Sequence, residues 1–275
     1  MYLYRKNKMQ LSVVIPSYKD PLLQKTIDSL LENSDLGDKL EIIPVLDGYW
    51  PKVPLKIDDR VKVVHLGKNS GMREAINAGV RVASGEYLLR TDEHATFGKG
   101  YDRILLADIE PNWIVTPRRY FLDTVAWEVM DIPPVDYMKL KIGRVGDGAG
   151  GLMDKFCGVE WKSRAKQRKD IMIDETMAMQ GSCWVMKKSW WEKAIVRLQS
   201  DGYGTHYQDS HEMQFKTWKL GGKLMVNKNT WHAHKHRSFP RTHGYGGKLA
   251  RDGFTYSLKI WREYYEKEIK PKWKI

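Results

Sequence analysis

The sequence predicts an α/β protein in which a mainly parallel sheet is covered by helices on both faces. Three observations carry this. Short apolar runs alternate with amphipathic stretches through the first third of the chain, which is the pattern of strand–helix–strand units. The polar residues Ser17, Asp47, Asn69 and Asp92 fall where the successive runs end, at the carboxyl edge where such sheets bind ligands. An apolar content of 42% over 275 residues is enough for a sizeable interior.

Each element follows from local pattern. Leu11–Ile15 reads as a buried strand ended by Pro16. From Pro21 to Glu32, Leu22, Leu23, Ile27, Leu30 and Leu31 recur at helical spacing and form one face. Glu41–Leu46 is a second strand closed by Asp47-Gly48, and Val61–His65 a third. Gly71–Ser84 returns to the helical period, and Tyr87–Arg90 is a fourth strand leading into Asp92. Beyond it, Trp113–Thr116 reads as a strand, Met177–Met186 as a strand, and Ser189–Leu198 as a helix. Ser210–Leu220 is a helix stopped by Gly221-Gly222, followed by a strand over Lys223–Asn227. Lys139–Lys169, rich in glycine, reads as a hairpin or mobile loop. Thr255–Lys270 is a last amphipathic helix carrying Trp261, Tyr264 and Tyr265. There are no repeats and no linker, so one catalytic domain with two lobes on a continuous core is expected. Residues 1–110 would form a ligand-binding lobe, 111–237 a second lobe, and 238–275 a basic C-terminal loop and helix.

The formal net charge of +12 is unevenly distributed. Lys139–Lys169 carries +6 and Lys235–Ile275 carries +7, leaving the rest near neutral. Such segments suit a polyanionic partner, with Trp161, Trp261, Tyr264 and Tyr265 interleaved among the charges to stack on its bases, although a solvated surface or an anionic nucleotide would explain the charge too. Cys157 and Cys183 have no metal or redox spacing and read as reduced. No apolar run reaches the roughly 20 residues needed to cross a bilayer, and Met1–Gln10 lacks a signal-peptide core. A soluble cytoplasmic protein without membrane insertion is the expectation.

Chemistry concentrates at Asp92-Glu93-His94, just past the fourth strand. In an extended segment Asp92 and His94 project to the same side, and an oxygen with a nitrogen ligand suits a borderline cation. Alone, the triplet is weak, because an exposed turn has the same composition. Asn69-Ser70-Gly71-Met72-Arg73 opens a helix with a glycine and an arginine, a combination suited to an anion. Trp231–Arg237 contains His232, His234 and His236, which alternate as strand residues sharing a face do.

Together these motifs resemble the GT-A glycosyltransferases, loosely those of family 2 and more closely the polypeptide N-acetylgalactosaminyltransferases, over roughly Leu11 to Arg237. The resemblance implies a Rossmann-like GT-A fold and a sugar nucleotide donor, with UDP as the base-bearing half. Leu11–Tyr18 resembles the first strand, so Pro16, Ser17 and Tyr18 would contact the base together with Asp47. Gly48 stands where those enzymes carry a second acidic residue. Asn69, Gly71 and Arg73 would approach the nucleotide. Thr91-Asp92-Glu93-His94 matches the Asp-x-His metal motif, with Asp92 also meeting the donor. Alignment through Trp218 and Gly221-Gly222 makes His234 the third metal ligand, with His232 and His236 as alternates. Mn²⁺ is the implied ion, with Mg²⁺ as the substitute.

Met177–Cys183 resembles a segment lying against the donor sugar, and Gln208–Glu212 an acidic segment facing sugar and acceptor. Gln180, Asp209 and Glu212 are accordingly the candidate catalytic residues. Ser210 takes the position of the general base in inverting relatives and is too weak for that task, which favours retention of configuration. A register shift of one residue would restore Asp209 as base. The relatives' membrane anchor and lectin domain are not expected in this protein, which leaves the acceptor open. A hydroxymethylated base in DNA, bound through 139–169 and 235–275, fits the charge; a saccharide, a lipid-linked glycan or a protein Ser/Thr fits family frequency. A nucleotidyltransferase would need a glycine-rich triphosphate loop near Pro16, which is absent. A non-catalytic nucleic-acid-binding protein on a degenerate core is the remaining alternative.

Overall fold

The computed structural model describes residues 9–146, 151–205, 207–235 and 248–275. The chain opens with strand β1 (Leu11–Ser17), helix α1 (Leu23–Glu32), β2 (Leu40–Asp47), β3 (Val64–Leu66) and α2 (Met72–Val82). It continues through β4 (Tyr87–Thr91), β5 (Ala95–Phe97), α3 (Tyr101–Ala107), β6 (Trp113–Asp123) and β7 (Glu128–Val129). A hairpin of β8 (Met138–Gly146) and β9 (Leu152–Glu160) leads to α4 (Lys162–Gln167), β10 (Ile173–Glu175) and β11 (Cys183–Lys187). Then come α5 (Lys188–Trp190) with a π-helical turn over Trp191–Ile195, α6 (Asp209–Lys219), β12 (Lys223–His234), α7 (Lys248–Tyr264), a second π-helical turn (Tyr265–Ile269) and α8 (Lys270–Trp273).

One ten-stranded sheet, in the order β10-β12-β6-β11-β4-β1-β2-β3 with β5 and β7 as side partners, runs through the molecule. The first half is parallel, as expected: β1 pairs with β2 and β4, and β2 with β3. The second half makes the sheet mixed, because β11 enters antiparallel between β4 and β6. This sheet crosses the 110/111 boundary, so both halves of the chain share one backbone framework.

Strand residues alternate between two cores. Val14, Ile43, Leu88, Trp184 and Leu224 face a core closed by α2, α6 and α7, whereas Val13, Ile42, Leu89, Val185 and Met225 face one closed by α1 and α3. Helix α1 is amphipathic because Leu23, Ile27 and Leu30 lie on one stripe, and each fully buried leucine contributes roughly 1.5–3 kcal/mol. Gly79 lets α2 lie against β1, since a Cβ there would stand 2.4 Å from Cγ1 of Val14.

Several boundaries differ from the sequence reading. β1 continues through Pro16, whose missing N–H does not stop the pairing with β2. The third strand begins later, at Val64, with Val61 contributing an isolated bridge to Ile42. Met177–Ser182 is irregular, and only Cys183–Lys187 is strand. β12 does not end at Asn227. A register shift between Asn227 and Trp231 absorbs the polar Lys228–Thr230, and the strand resumes to His234. The 139–169 segment is an ordered hairpin followed by α4 among its described residues.

The C-terminal helix belongs to the core. Trp261 is 6% exposed, stacks on Phe215 with centroids 5.0 Å apart, and donates its indole N–H to the Tyr203 hydroxyl. Tyr265 is 3% exposed and donates its hydroxyl to the Leu140 carbonyl at 2.9 Å. These rings were expected to stack on a partner's bases. They are instead spent on packing. Among the described residues no helix is long and apolar enough to cross a membrane.

Candidate metal and donor site

The site forms where the carboxyl ends of β1, β2 and β4 meet the end of β12. β5 pairs antiparallel with β12, Ala95 opposite His234 and Phe97 opposite His232. That register brings His234 to the Asp92–His94 turn across 142 residues of sequence. His234 Nε2 lies 2.9 Å from Asp92 Oδ2, His94 Nε2 lies 4.0 Å from the same oxygen, and the two imidazole centroids are 4.8 Å apart. Asp92, His94 and His234 offer ligand atoms within 4.8 Å of one another. One carboxylate oxygen and two imidazole nitrogens converging in this way fit a borderline divalent cation such as Mn²⁺.

The other Asp92 oxygen is already engaged. Arg90, buried in β4, donates to Oδ1 at 2.6 Å and also bonds the Gly181 carbonyl. Burial alone would raise the Asp92 carboxyl pKa, but the Arg90 guanidinium and His234 outweigh it and hold the group well below the ordinary carboxylate range. It is therefore ionised and ready as a ligand at neutral pH. Arg90 was missed as a site residue, yet a signal existed, since Arg90, Asp92 and His94 alternate along one extended segment.

His232 is not in the tripod. Its ring is fully buried, Nε2 faces the Ser182 hydroxyl at 3.1 Å, and burial together with neighbouring His234 pushes its pKa well down. It shares a strand face with His234 but lies two residues earlier in β12, opposite Phe97 and away from the Asp92–His94 turn. His236 lies outside the described residues.

At the donor lip, Ser17 Oγ and the Tyr49 hydroxyl are hydrogen-bonded, and the Tyr18 ring meets Tyr49 edge-on at 5.9 Å. Pro16 is a buried residue of β1 pairing with Val45, so what it brings to the lip is backbone. Asp47 is 2% exposed, and its carboxylate organises the turn into α2. It accepts the N–H of Ser70 at 2.6 Å, the N–H of Gly71 at 2.8 Å and the Asn69 amide at 2.9 Å. Gly48 has φ +73°, and a Cβ there would stand 2.1 Å from the Asn69 nitrogen. The close approach of that turn leaves no room for a second acidic side chain. Gly71, at φ +90°, precedes α2 and allows the sharp entry.

Two expected site residues are corrected by their burial. Arg73 is fully buried and therefore cannot meet a nucleotide. It donates to the carbonyls of Gln199 and Tyr207, pairs with Glu212 and lies 4.3 Å over the Tyr203 ring. Glu212, also at 0% exposure, accepts from Arg73 and from Lys216 at 2.6 Å, so it does not face sugar or acceptor. The pair ties the 199–207 segment to α2 and α6, which sets where the start of α6 lies.

A cleft of about 480 Å³ lies between this start and the metal tripod, and Asp92, His234, Gln180, Asp209 and Ser210 are all among its walls. Gln180 donates its amide to the Val135 carbonyl at 2.8 Å, which leaves its Oε1 without a partner among the described residues. Lys155 and Phe156 of β9 also line it, so the inserted hairpin forms one wall. His211 was passed over because a histidine on a helix start carries no distinctive signal. Burial, with Lys155 and Arg73 nearby, pushes its imidazole down to about 3, so it is a neutral group in the cleft wall, its Nδ1 without a hydrogen-bond partner among the described residues.

Comparison with known proteins gives the family and the fold. The model of glycosyl transferase family 2 matches residues 12–195. Polypeptide N-acetylgalactosaminyltransferase 4 of Mus musculus is 24% identical over 279 residues, spanning 94% of this chain and 44% of that protein. Polypeptide N-acetylgalactosaminyltransferase 5 of Caenorhabditis elegans is 25% identical over 236 residues, spanning 81% and 36%. The chain thus spans less than half the length of these relatives. A crystal structure of GalNAc-T7 with UDP, GalNAc and Mn²⁺ superposes with a TM-score of 0.73 at 18% identity, covering 97% of this chain and 51% of that one. S. aureus TarS gives a TM-score of 0.53 at 13% identity, covering 83% and 37%. The fold is GT-A.

Proposed function

This chain belongs to glycosyltransferase family 2, and we propose that it transfers a sugar from a UDP-sugar to a hydroxyl acceptor with Mn²⁺ held by Asp92, His94 and His234. The observation that carries this reading is the convergence of those three donors at the mouth of the cleft. The GalNAc-T7 structure of the same fold, solved with UDP, GalNAc and Mn²⁺, supports the choice of donor and ion. When bound, the cation supplies positive charge to a diphosphate as it leaves. The protein's own residues do the rest. Ser17, Tyr18 and Tyr49 offer a rim for the base beside the turn held by Asp47 and Asn69. Arg90 keeps Asp92 ionised and aimed. Gln180 and Asp209 flank the space for the sugar and the incoming hydroxyl. Residues 1–110 serve the donor and 111–237 close over the sugar, within one sheet.

A thermal-shift panel of nucleotide sugars with and without Mn²⁺ tests the reading. A UDP-sugar at one hundred times its Kd stabilises by about 2.7 kcal/mol, and the shift is expected only with the ion present. No shift with any nucleotide sugar rules the reading out. Binding of UDP with Mn²⁺ and no transfer or hydrolysis would favour a non-catalytic binding protein.

Ser210 at the start of α6, in the position that the resemblance gives to the general base of inverting enzymes, supports retention of configuration. Proton NMR of the first product is expected to show the donor's anomer preserved. An inverted product would promote Asp209 to general base.

For the acceptor, the charge of the hairpin and α4 region supports a polyanion such as DNA bearing a hydroxymethylated base. Of the aromatics expected to stack, Trp261 and Tyr265 are core, so stacking rests on the half-buried Trp161 and Tyr264. Lys166 and Lys169 are exposed, whereas Arg168 bonds Asp174 at 2.8 Å and is tied to the fold. Charge reversal at Lys166 and Lys169 is therefore expected to weaken low-salt DNA binding and flatten its salt slope while sparing UDP-sugar hydrolysis. If DNA does not bind at low salt, or glycan oligosaccharides are glycosylated far faster, the nucleic-acid acceptor is dropped and the glycosyltransferase reading kept.

A further inference from the structure

Behind the tripod sits a buried carboxylate that shares His94 with it, since Asp20, Glu93 and His94 also bring ligand atoms within 4.8 Å of one another. Asp20, in the loop between β1 and α1, is 6% exposed, and its Oδ2 lies 3.0 Å from Nδ1 of His94, itself 6% exposed. The other oxygen of Asp20 accepts the Leu22 N–H at 2.8 Å. Glu93, between the two ligands, accepts the Tyr18 N–H at 3.1 Å, so the same loop grips the metal turn at a second point. The loop after β1 is thus a backing plate for the turn after β4.

The chemistry of the contact is directional. An ionised carboxylate only accepts hydrogen bonds, and a neutral imidazole has one N–H and one lone pair. Facing Asp20, Nδ1 must carry the hydrogen. The lone pair is then on Nε2, the nitrogen on the Asp92 side of the ring. A carboxylate on the far nitrogen of a ligating histidine selects the tautomer, fixes the ring plane and raises ligand basicity.

We propose that Asp20 is a positioning residue, holding His94 in the Nδ1–H tautomer with Nε2 presented to the cation. The inference rests on the metal reading above. It also explains why the short loop after β1 is folded inward on a buried acid.

Asp20→Asn separates this role from packing. The two side chains have nearly the same shape, but the amide has a single acceptor. With that oxygen on the Leu22 N–H, the NH₂ group faces His94 and forces the hydrogen onto Nε2, where no ion can bind. Mn²⁺ titration followed by electron paramagnetic resonance is expected to show affinity about 10–100-fold lower in Asp20→Asn. In a His94→Ala background the same change is expected to have no further effect. ¹⁵N–¹H correlation of the metal-free, unmodified protein at about pH 8, where an ordinary imidazole is neutral, is expected to show His94 protonated on Nδ1. Equal Mn²⁺ affinity in Asp20→Asn, an undiminished effect in the His94→Ala background, or an Nε2–H tautomer in the unmodified protein overturns the role of Asp20 and leaves the metal site standing. If the unmodified protein binds no Mn²⁺, the metal site fails and this inference with it.

Discussion

Asp92→Asn is expected to lower kcat for sugar transfer by about 10²–10³-fold, the loss typical of removing one preorganised electrostatic contact to a developing charge. His234→Ala is expected to do the same and to weaken Mn²⁺ binding more than His232→Ala. The reason is in the geometry: His234 Nε2 lies 2.9 Å from Asp92 Oδ2, while His232 points at the Ser182 hydroxyl inside the protein. Asparagine at position 92 keeps an oxygen for Arg90, so the fold is expected to survive. Circular dichroism checks the fold, and initial rates across a Mn²⁺ series check the chemistry. Full transfer by Asp92→Asn in excess chelator would eliminate a metal at this site. Equal Mn²⁺ affinities for the His232 and His234 variants would remove His234 from the ligand set.

Arg73→Met is expected to cost about 3–5 kcal/mol of stability, because it strands a buried Glu212 carboxylate and leaves the carbonyls of Gln199 and Tyr207 without their donor. Lys216, also paired with Glu212, moderates the loss toward the lower end. Urea denaturation measures it, read as a fall in midpoint at constant slope. The experiment also distinguishes the two roles open to this arginine. A nucleotide-binding arginine would lose UDP affinity and leave the midpoint unmoved. The buried network predicts the opposite order, with any loss of activity following from a displaced 199–207 segment and a misplaced Asp209.

Local pattern in the sequence determined the parallel half of the sheet, the stripe of α1, the helical period of α2 and the placing of Asp92 at a strand end. These are legible because burial repeats at period two or 3.6, and a residue's neighbours in sequence report it. Asp92 and His94 were legible as candidate ligands because two residues in an extended segment share a face. His234 was reached only through resemblance, since nothing local separates it from His232. The tertiary structure decided between them: both lie on one face of β12, but the pairing of Ala95 with His234 sets that imidazole beside Asp92, while His232, two residues earlier and opposite Phe97, is buried against Ser182. The same holds for Arg73 and Glu212. Each has a charge and a position that suit an anion site or a catalytic acid, and only their mutual burial across 139 residues assigns them to the scaffold. Asp20 behaves alike. Its contact with His94 spans 74 residues and depends on the inward fold of one loop. Trp261 and Tyr265 looked like a surface for bases because helical spacing reports which residues share a face without saying what that face meets. Side-chain chemistry is written in the sequence; which partner each side chain meets depends on long-range packing, and that packing sorts the charged residues of this protein into site and framework.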